Sequence, residues 1–365
     1  MMISHMVCGW LPPYGPLVLG RTDLLDTLPV ILCIPARNEE ASLPTLLSAL
    51  SSLVVEGGRL TVCIYLDDCQ DRSATLLDRA ASDRSFRLCV TAGQRRDGPN
   101  AGVARHAAMT MALDILQGRE ALLFVTDADS IPQPDWIMAG QKALAEADVV
   151  AGRITRSGAL ADPEQGRLER YYDRLHRYRR LLDPVPWEAR DTHHFGGGAN
   201  MAMRASAYRA VGGFKPLATA EDATFLDDAA RAGLRVRRDR AMVVETSSRR
   251  EGRAANGLAG ALRALDAGED RRVAHPAAAA WQWSAHAAAR QSFTIIDRAD
   301  IRAALGDRLG LTPDHVLGVA RDCPNGEAFA MRIVPASPIY TDLVGLAEAE
   351  NLLSAMERQS CEIAA

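Results

Sequence analysis

The stretch "ALLFVTDADSIPQPDW", residues 121 to 136, carries five apolar residues straight into Thr126, Asp127, Ala128 and Asp129, then into a loop with Pro132 and Pro134. A short apolar run of this kind is consistent with a strand buried on both faces of a parallel sheet. In an extended chain, residues i and i+2 point the same way with Cα atoms about 7 Å apart, so Asp127 and Asp129 can address one hard cation. The alternative is a polar turn in which one of the two caps the following helix.

Working outward, the same strand-then-polar-loop pattern recurs. "VILCI" (30 to 34) runs into "PARNEE", and Leu43, Leu46, Leu47, Leu50 and Leu53 follow at helical spacing. "TVCIYL" (61 to 66) empties into Asp67 and Asp68, with a weaker helical stripe at Ala74, Leu77, Ala80 and Ala81. "FRLCV" (86 to 90) reads as a third strand, residues 101 to 118 as a helix stopped by Gly118, and "ALLFV" as the fourth strand. Strands alternating with helices predict a doubly wound, mostly parallel α/β sheet. Ligands of such sheets bind beyond the carboxyl ends of the strands, where these acidic loops converge.

Composition excludes several classes. With 365 residues, 48% hydrophobic and 24% charged, the chain can bury a large core. A formal net charge of −4 gives no global pull towards nucleic acid or anionic lipid. Seven cysteines, three of them in apolar runs, fit reduced thiols and a cytoplasmic chain. The N-terminus lacks a charged n-region and is broken by Pro12, Pro13 and Pro16, unlike a signal peptide. No stretch reaches the ~20 apolar residues of a membrane span. A structural zinc site is not expected, because His193 and His194 lack partners at ligand spacing and read as solvated loop residues.

Six segments in order, "IPARNEEASLPTLL" (34 to 47), "YLDDCQDRSA" (65 to 74), "GVARHAAM" (102 to 109), "TDADSIPQPDWI" (126 to 137), "GGGANMAMRASAYRAVGGF" (196 to 214) and "AEDATFLDDAARAGLRV" (220 to 236), resemble the family 2 glycosyltransferases of GT-A fold. The resemblance implies a nucleotide-diphosphate-sugar donor, an acceptor hydroxyl, and Mn²⁺ or Mg²⁺ as cofactor. It implies that Pro35, Ala36, Arg37, Asn38 and Glu39 hold the nucleoside, Glu39 reaching the ribose. Asp68, with Asp67 beside it, matches the base contact, and Arg105 a donor-binding arginine. Asp127 and Asp129 match the DxD motif, Asp129 being the direct metal ligand and Asp127 placing the nucleotide or a metal-bound water. Glu221 and Asp222 match the acidic pair that ends in the general base of an inverting displacement, a role carried to Asp222. Taken alone, Asp222 reads as a helix cap favoured by the macrodipole.

Gly197, Gly198 and Asn200 offer either a close approach to sugar or acceptor or a flexible connector. Arg249, Arg250 and Arg253 suit either a diphosphate or a solvated basic loop, and they stand where processive members of the family carry QxxRW, which is missing here. Residues 162 to 182 read as a charged helix with a core stripe at Leu168, Tyr171, Tyr172, Leu175 and Tyr178. Its Arg177, Arg179 and Arg180 offer either a solvated face or a contact with an acidic membrane or partner. The expected organisation is an N-terminal extension (1 to 28), a catalytic domain (29 to 266, the nucleotide half ending at 130 and the acceptor half following), and a mostly helical extension (267 to 365). An extended stretch is expected in that extension at "FAMRIV" (329 to 334), and the extension covers the acceptor side or makes a homodimer contact. Two other readings stand beside glycosyl transfer: a sugar nucleotidyltransferase, which needs a Gly-rich basic loop where "PARNEE" stands, and a non-catalytic sugar-nucleotide binder.

Overall fold

The structure, a computed structural model, describes residues 25, 27–55, 60–80, 85–93, 98–156, 163–247 and 272–364. The expectations for residues 1–24 and for Arg249, Arg250 and Arg253 lie outside the described residues.

The first strand, β1 (Val30–Ala36), shows why the sheet is covered on both faces. Its residues alternate between two cores: Val30, Leu32, Ile34 and Ala36 face one, Ile31 and Cys33 the other. β2 (Thr61–Leu66) repeats the division, with Val62 and Ile64 against Cys63 and Tyr65, and so does β4 (Leu122–Val125), with Leu122 and Phe124 against Leu123 and Val125. Each large apolar side chain among them, fully buried, contributes about 1.5–3 kcal/mol, so the helices packed on these two cores are drawn to one face or the other. The stripe Leu43, Leu46, Leu47 and Leu50 carries α1 (Leu43–Ser51) to the first core, together with α2 (Ser73–Ala80) and, later in the chain, α4 (Trp136–Leu144). The small residues Ala104, Ala108 and Ala112 let α3 (Ala101–Leu116) lie close on the second core. Asn100 caps α3 by accepting from the Val103 N–H, and the helix ends where Gln117 and Gly118 turn left-handed.

β1 pairs in parallel with β2 and β4, and β2 with β3 (Arg87–Ala92). β7 (Met201–Arg204) then runs antiparallel between β4 and β6 (Val149–Arg156). Beyond β6 come the parallel β8 (Val236–Thr246) and the short antiparallel β5 (Ser130–Pro132), giving the order β3-β2-β1-β4-β7-β6-β8-β5. A register shift between Gly152 and Arg153 opens the β6–β8 ladder, and the Asn200 side chain fills the space, 2.4 Å from where a Gly152 Cβ would stand. α6 (Ala205–Val211) and α7 (Glu221–Arg231) cover the second core through Tyr208, Phe225 and Ala229.

The charged helix α5 (Pro163–Leu182) buries Tyr171, Leu175 and Tyr178, as its stripe predicts, against Val273 of β9 (Arg272–Ala274) and against Leu346, Ala349 and Leu353 of α12 (Leu346–Ala364). β10 (Leu343–Gly345) pairs with β9. Between them, α8 (Pro276–Ser292), α9 (Ala299–Leu309), α10 (Pro313–Arg321) and α11 (Gly326–Ile333) form a separate helical core. Here the expectation of an extended "FAMRIV" fails. Phe329, Ala330 and Ile333 are buried at i, i+1 and i+4, a helical rhythm, and Asn325 caps the helix by accepting from the Ala328 N–H.

Candidate active site

A cleft of about 590 Å³ opens at the carboxyl ends of the parallel strands. β1 contributes Pro35, Ala36, Arg37 and Glu39, and β2 contributes Asp67. Arg105 enters from α3, Asp127 and Asp129 from the end of β4, Gly197 and Gly198 from the loop before β7, and Glu221 and Asp222 from the first turn of α7. Residues from Pro35 to Asp222 thus meet because their strands end on one edge.

The loops are held by polar side chains. Arg37 donates to Asp67 at 3.1 Å and to Asp68 at 3.3 Å, fastening the β1 loop to the β2 loop. Glu39 is buried and accepts from the Ser42 hydroxyl, while its N–H donates to Ser73. Asn38, Asp68 and Ala220 all sit at positive φ, 52°, 49° and 60°. Such backbone is costly for residues other than glycine and gathers at functional sites.

Arg105 is the centre of the charge system. Its buried guanidinium donates to Glu221 at 3.1 Å, to Asp127 at 2.9 Å and to the Gly198 carbonyl at 2.9 Å, and it lies over the Phe214 ring. Burial opposes its charge, but Asp127, Glu221 and Asp222 outweigh burial and raise its pKa. Burial pushes Glu221 upward; Arg105 pulls it back and Asp222 adds to the rise. Asp222 accepts from the Gly198 and Ala223 N–H groups, both at 2.7 Å. Its place in the first turn of α7 also suits an anion.

Six carboxyl groups and three guanidinium groups line the cleft among the described residues. All three arginines are engaged with carboxylates, Arg37 with Asp67, Arg105 with Asp127 and Arg156 with Glu169. The cleft therefore carries a surplus of negative charge. Asp127 and Asp129 offer two carboxylates at the end of one strand, a donor set that fits a hard divalent cation completing its shell with water and substrate phosphate.

Three anticipated contacts do not line the cleft. The Asn38 side-chain Oδ1 accepts from the Gln70 N–H at 2.7 Å, and Asp68 is held by Arg37 and by the Gln70 side-chain amide. Asn200 corrects a clearer expectation: it is wholly buried, donating to Arg153 O and Met242 O and accepting from the Trp136 indole. It is a core tie rather than a sugar contact. His193 and His194 are not solvated either: His193 is fully buried, and His194 pairs with Asp173 at 2.7 Å. Conversely, the sequence reading missed Ile154, Arg156, Phe195 and Thr246 on the far wall. Only Phe195, adjoining the glycine run, had a signal to find it by. No residue of the C-terminal helices lines the cleft among the described residues.

Sheet order, reversed β7 and strand-end cleft together define a mostly parallel α/β domain with its cleft at the carboxyl ends of the parallel strands. The family model of glycosyl transferase family 2 matches residues 31–212 of the chain. It is 35% identical over 126 residues to an undecaprenyl-phosphate 4-deoxy-4-formamido-L-arabinose transferase of Pseudomonas aeruginosa; the match covers 34% of this chain and about a third, 35%, of that relative. Among solved structures, it is similar to the mannosyltransferase PcManGT of Pyrobaculum calidifontis in complex with GDP-Man and Mn²⁺, at 17% identity and a TM-score of 0.47, covering 83% of this chain and 85% of that one. It is also similar to S. aureus TarS 1–349 in complex with UDP-GlcNAc, at 16% identity and a TM-score of 0.46, covering 84% and 90%. No described helix is long and apolar enough to cross a membrane.

Proposed function

We propose that the chain transfers a sugar from a nucleoside-diphosphate donor to an acceptor hydroxyl, with inversion, using a divalent cation. The observation that carries the reading is the single cleft in which the β1 loop, the Asp127–Asp129 pair and the start of α7 face one another with carboxylates in surplus. A nucleoside diphosphate is itself an anion, and every cleft arginine already serves a carboxylate. The donor therefore needs a cation to enter. Asp129 and Asp127 would hold it, and when bound it supplies neutralisation of the charge that grows on the leaving diphosphate.

The protein's own groups account for the rest of the reaction. The β1 loop, stiffened by the Arg37 pairs, receives the nucleoside. Asp222, turned to the cleft and steadied by two N–H groups, takes the proton of the acceptor hydroxyl as its oxygen bonds to the anomeric carbon. The bond from that carbon to the diphosphate breaks on the opposite face. Glu221, engaged with Arg105, orients the turn and is not the base.

The test is turnover on a panel of nucleotide sugars with Mn²⁺ or Mg²⁺, read as nucleoside diphosphate released. Chelation should abolish release, and Asp129→Ala should lower it by about 100-fold or more. Pyrophosphate released from a nucleoside triphosphate would overturn the reading in favour of nucleotidyl transfer.

A further inference from the structure

The resemblance makes Arg105 a donor contact, but its surroundings describe another role. Nε and Nη1 of the guanidinium donate to three protein acceptors from three elements: Asp127 after β4, the Gly198 carbonyl before β7, and Glu221 on α7. Gly198 answers on its other side, because its N–H donates to Asp222 at 2.7 Å. One residue, Gly198, is thus clamped between Arg105 and Asp222 through its two flanking peptide groups. A Cβ at Gly198 would stand 2.4 Å from the Arg105 Cζ, so the contact exists only with glycine there. The platform behind it is equally tight. The Gly102 N–H donates to Leu217 O at 2.9 Å and the Asn100 amide to Pro216 O, locking the start of α3 to the segment that leads into α7.

We propose that Arg105 and Gly198 form a positioning pair that fixes Asp222 relative to the donor-side carboxylate Asp127; the inference rests on the glycosyl-transfer reading above. Planarity is essential to this device. A guanidinium presents donors in a rigid fork and can meet three acceptors at set angles, whereas an ammonium on a flexible stem cannot hold the same three in register. Arg105 is therefore a positioning residue: the donor's affinity comes from elsewhere, and the pair sets how well the base meets the acceptor once the donor is seated.

The experiment compares Arg105→Lys, Gly198→Ala and the double variant in turnover. Donor KM is measured alongside, with calorimetric binding of Mn²⁺ and the nucleoside diphosphate that the wild type releases. A base displaced by about 1 Å costs on the order of 100-fold, so kcat should fall by about that factor in each single variant. KM and the diphosphate Kd should change by less than about threefold, the pattern of an interaction that acts in the transition state. Because both changes release the same clamp, the double variant should be no slower than the worse single one, whereas independent sites would multiply. If Arg105→Lys does not fold by its melting curve, Gly198→Ala alone still reads the kcat-against-KM split. A rise in KM and Kd of about tenfold with kcat kept would make Arg105 a direct donor contact and overturn the proposal, and so would multiplicative losses in the double variant. A wild-type chain that turns over no donor would instead overturn the glycosyl-transfer reading, and this inference with it.

Discussion

Two buried charge clusters stand within this fold, and they differ in what they face. The cleft cluster of Arg105, Asp127, Glu221 and Asp222 opens onto the cavity with carboxylates in surplus. The second lies between α5 and β8: Asp173 meets Arg153 and Arg240, Glu188 meets Arg179, and His176, His193 and His194 fill the gaps. None of these side chains lines the cleft. His176 and His193 answer the crowding by staying neutral. Burial and Arg238 push His193 down to about 3, and burial above all lowers His176. At Asp173 burial works against ionisation, yet the bond from His194 and the nearby charges bring it down to about 2. A charge surplus that faces a cavity calls for a ligand of opposite sign; a crowd that faces only protein settles its protons internally.

The sharpest way to break this comparison is to remove the proposed base. Asp222→Asn should lower turnover by about 10²- to 10⁴-fold while the melting curve stays within a few degrees of wild type, since a cleft-facing carboxylate adds little to stability. A second test strikes the boundary between the clusters, where Asn200 ties Trp136 to the β6–β8 bulge and to the Arg153 carbonyl. Asn200→Ala leaves three buried groups without their partner and should cost about 2 kcal/mol in denaturant unfolding, with the loss of activity following the loss of fold. The smallest effect concerns pH. His193 has an ordinary value of 6.5 and a folded value of about 3, so between these the unfolded chain binds the extra proton. Stability should therefore fall as pH is lowered across that window, by up to about 1.4 kcal/mol per unit from this residue. Asp173 adds its own loss as pH falls from 3.8 towards about 2, because its carboxylate is favoured in the fold. In His193→Gln the decline above pH 4 should become shallower, read from melting temperatures at stepped pH.

Much of this was legible in the sequence because the apolar runs of β1, β2 and β4 and the stripes of α1 and α5 depend only on nearby residues. The acidic strand ends were legible for the same reason: Asp127, Asp129 and Asp222 sit where a strand stops or a helix starts. Direction across the sheet was not. Asn200 and Gly198 lie two residues apart in one loop, yet one faces the core and the other the cleft, and that follows from the antiparallel seat of β7 between β4 and β6. The His193–His194 pair looked solvated because its burial is made by α5 and β8, over 15 residues upstream and 40 downstream. "FAMRIV" misled because a six-residue window cannot separate a period of two from a period of 3.6.

The reversal at β7 also has a consequence for how the molecule is made. Arg105 and Glu221 are 116 residues apart, and Asp222 reaches Gly198 only when α7 has docked on the strand that runs backwards through the sheet. Non-local pairings of this kind form late, since the intervening chain must be ordered before they repay its entropy. During synthesis the β1 loop and the strand ending in Asp127 and Asp129 emerge well before Asp222. A chain cut short of α7 would keep the strand-end loops of the cleft and lack Glu221 and Asp222.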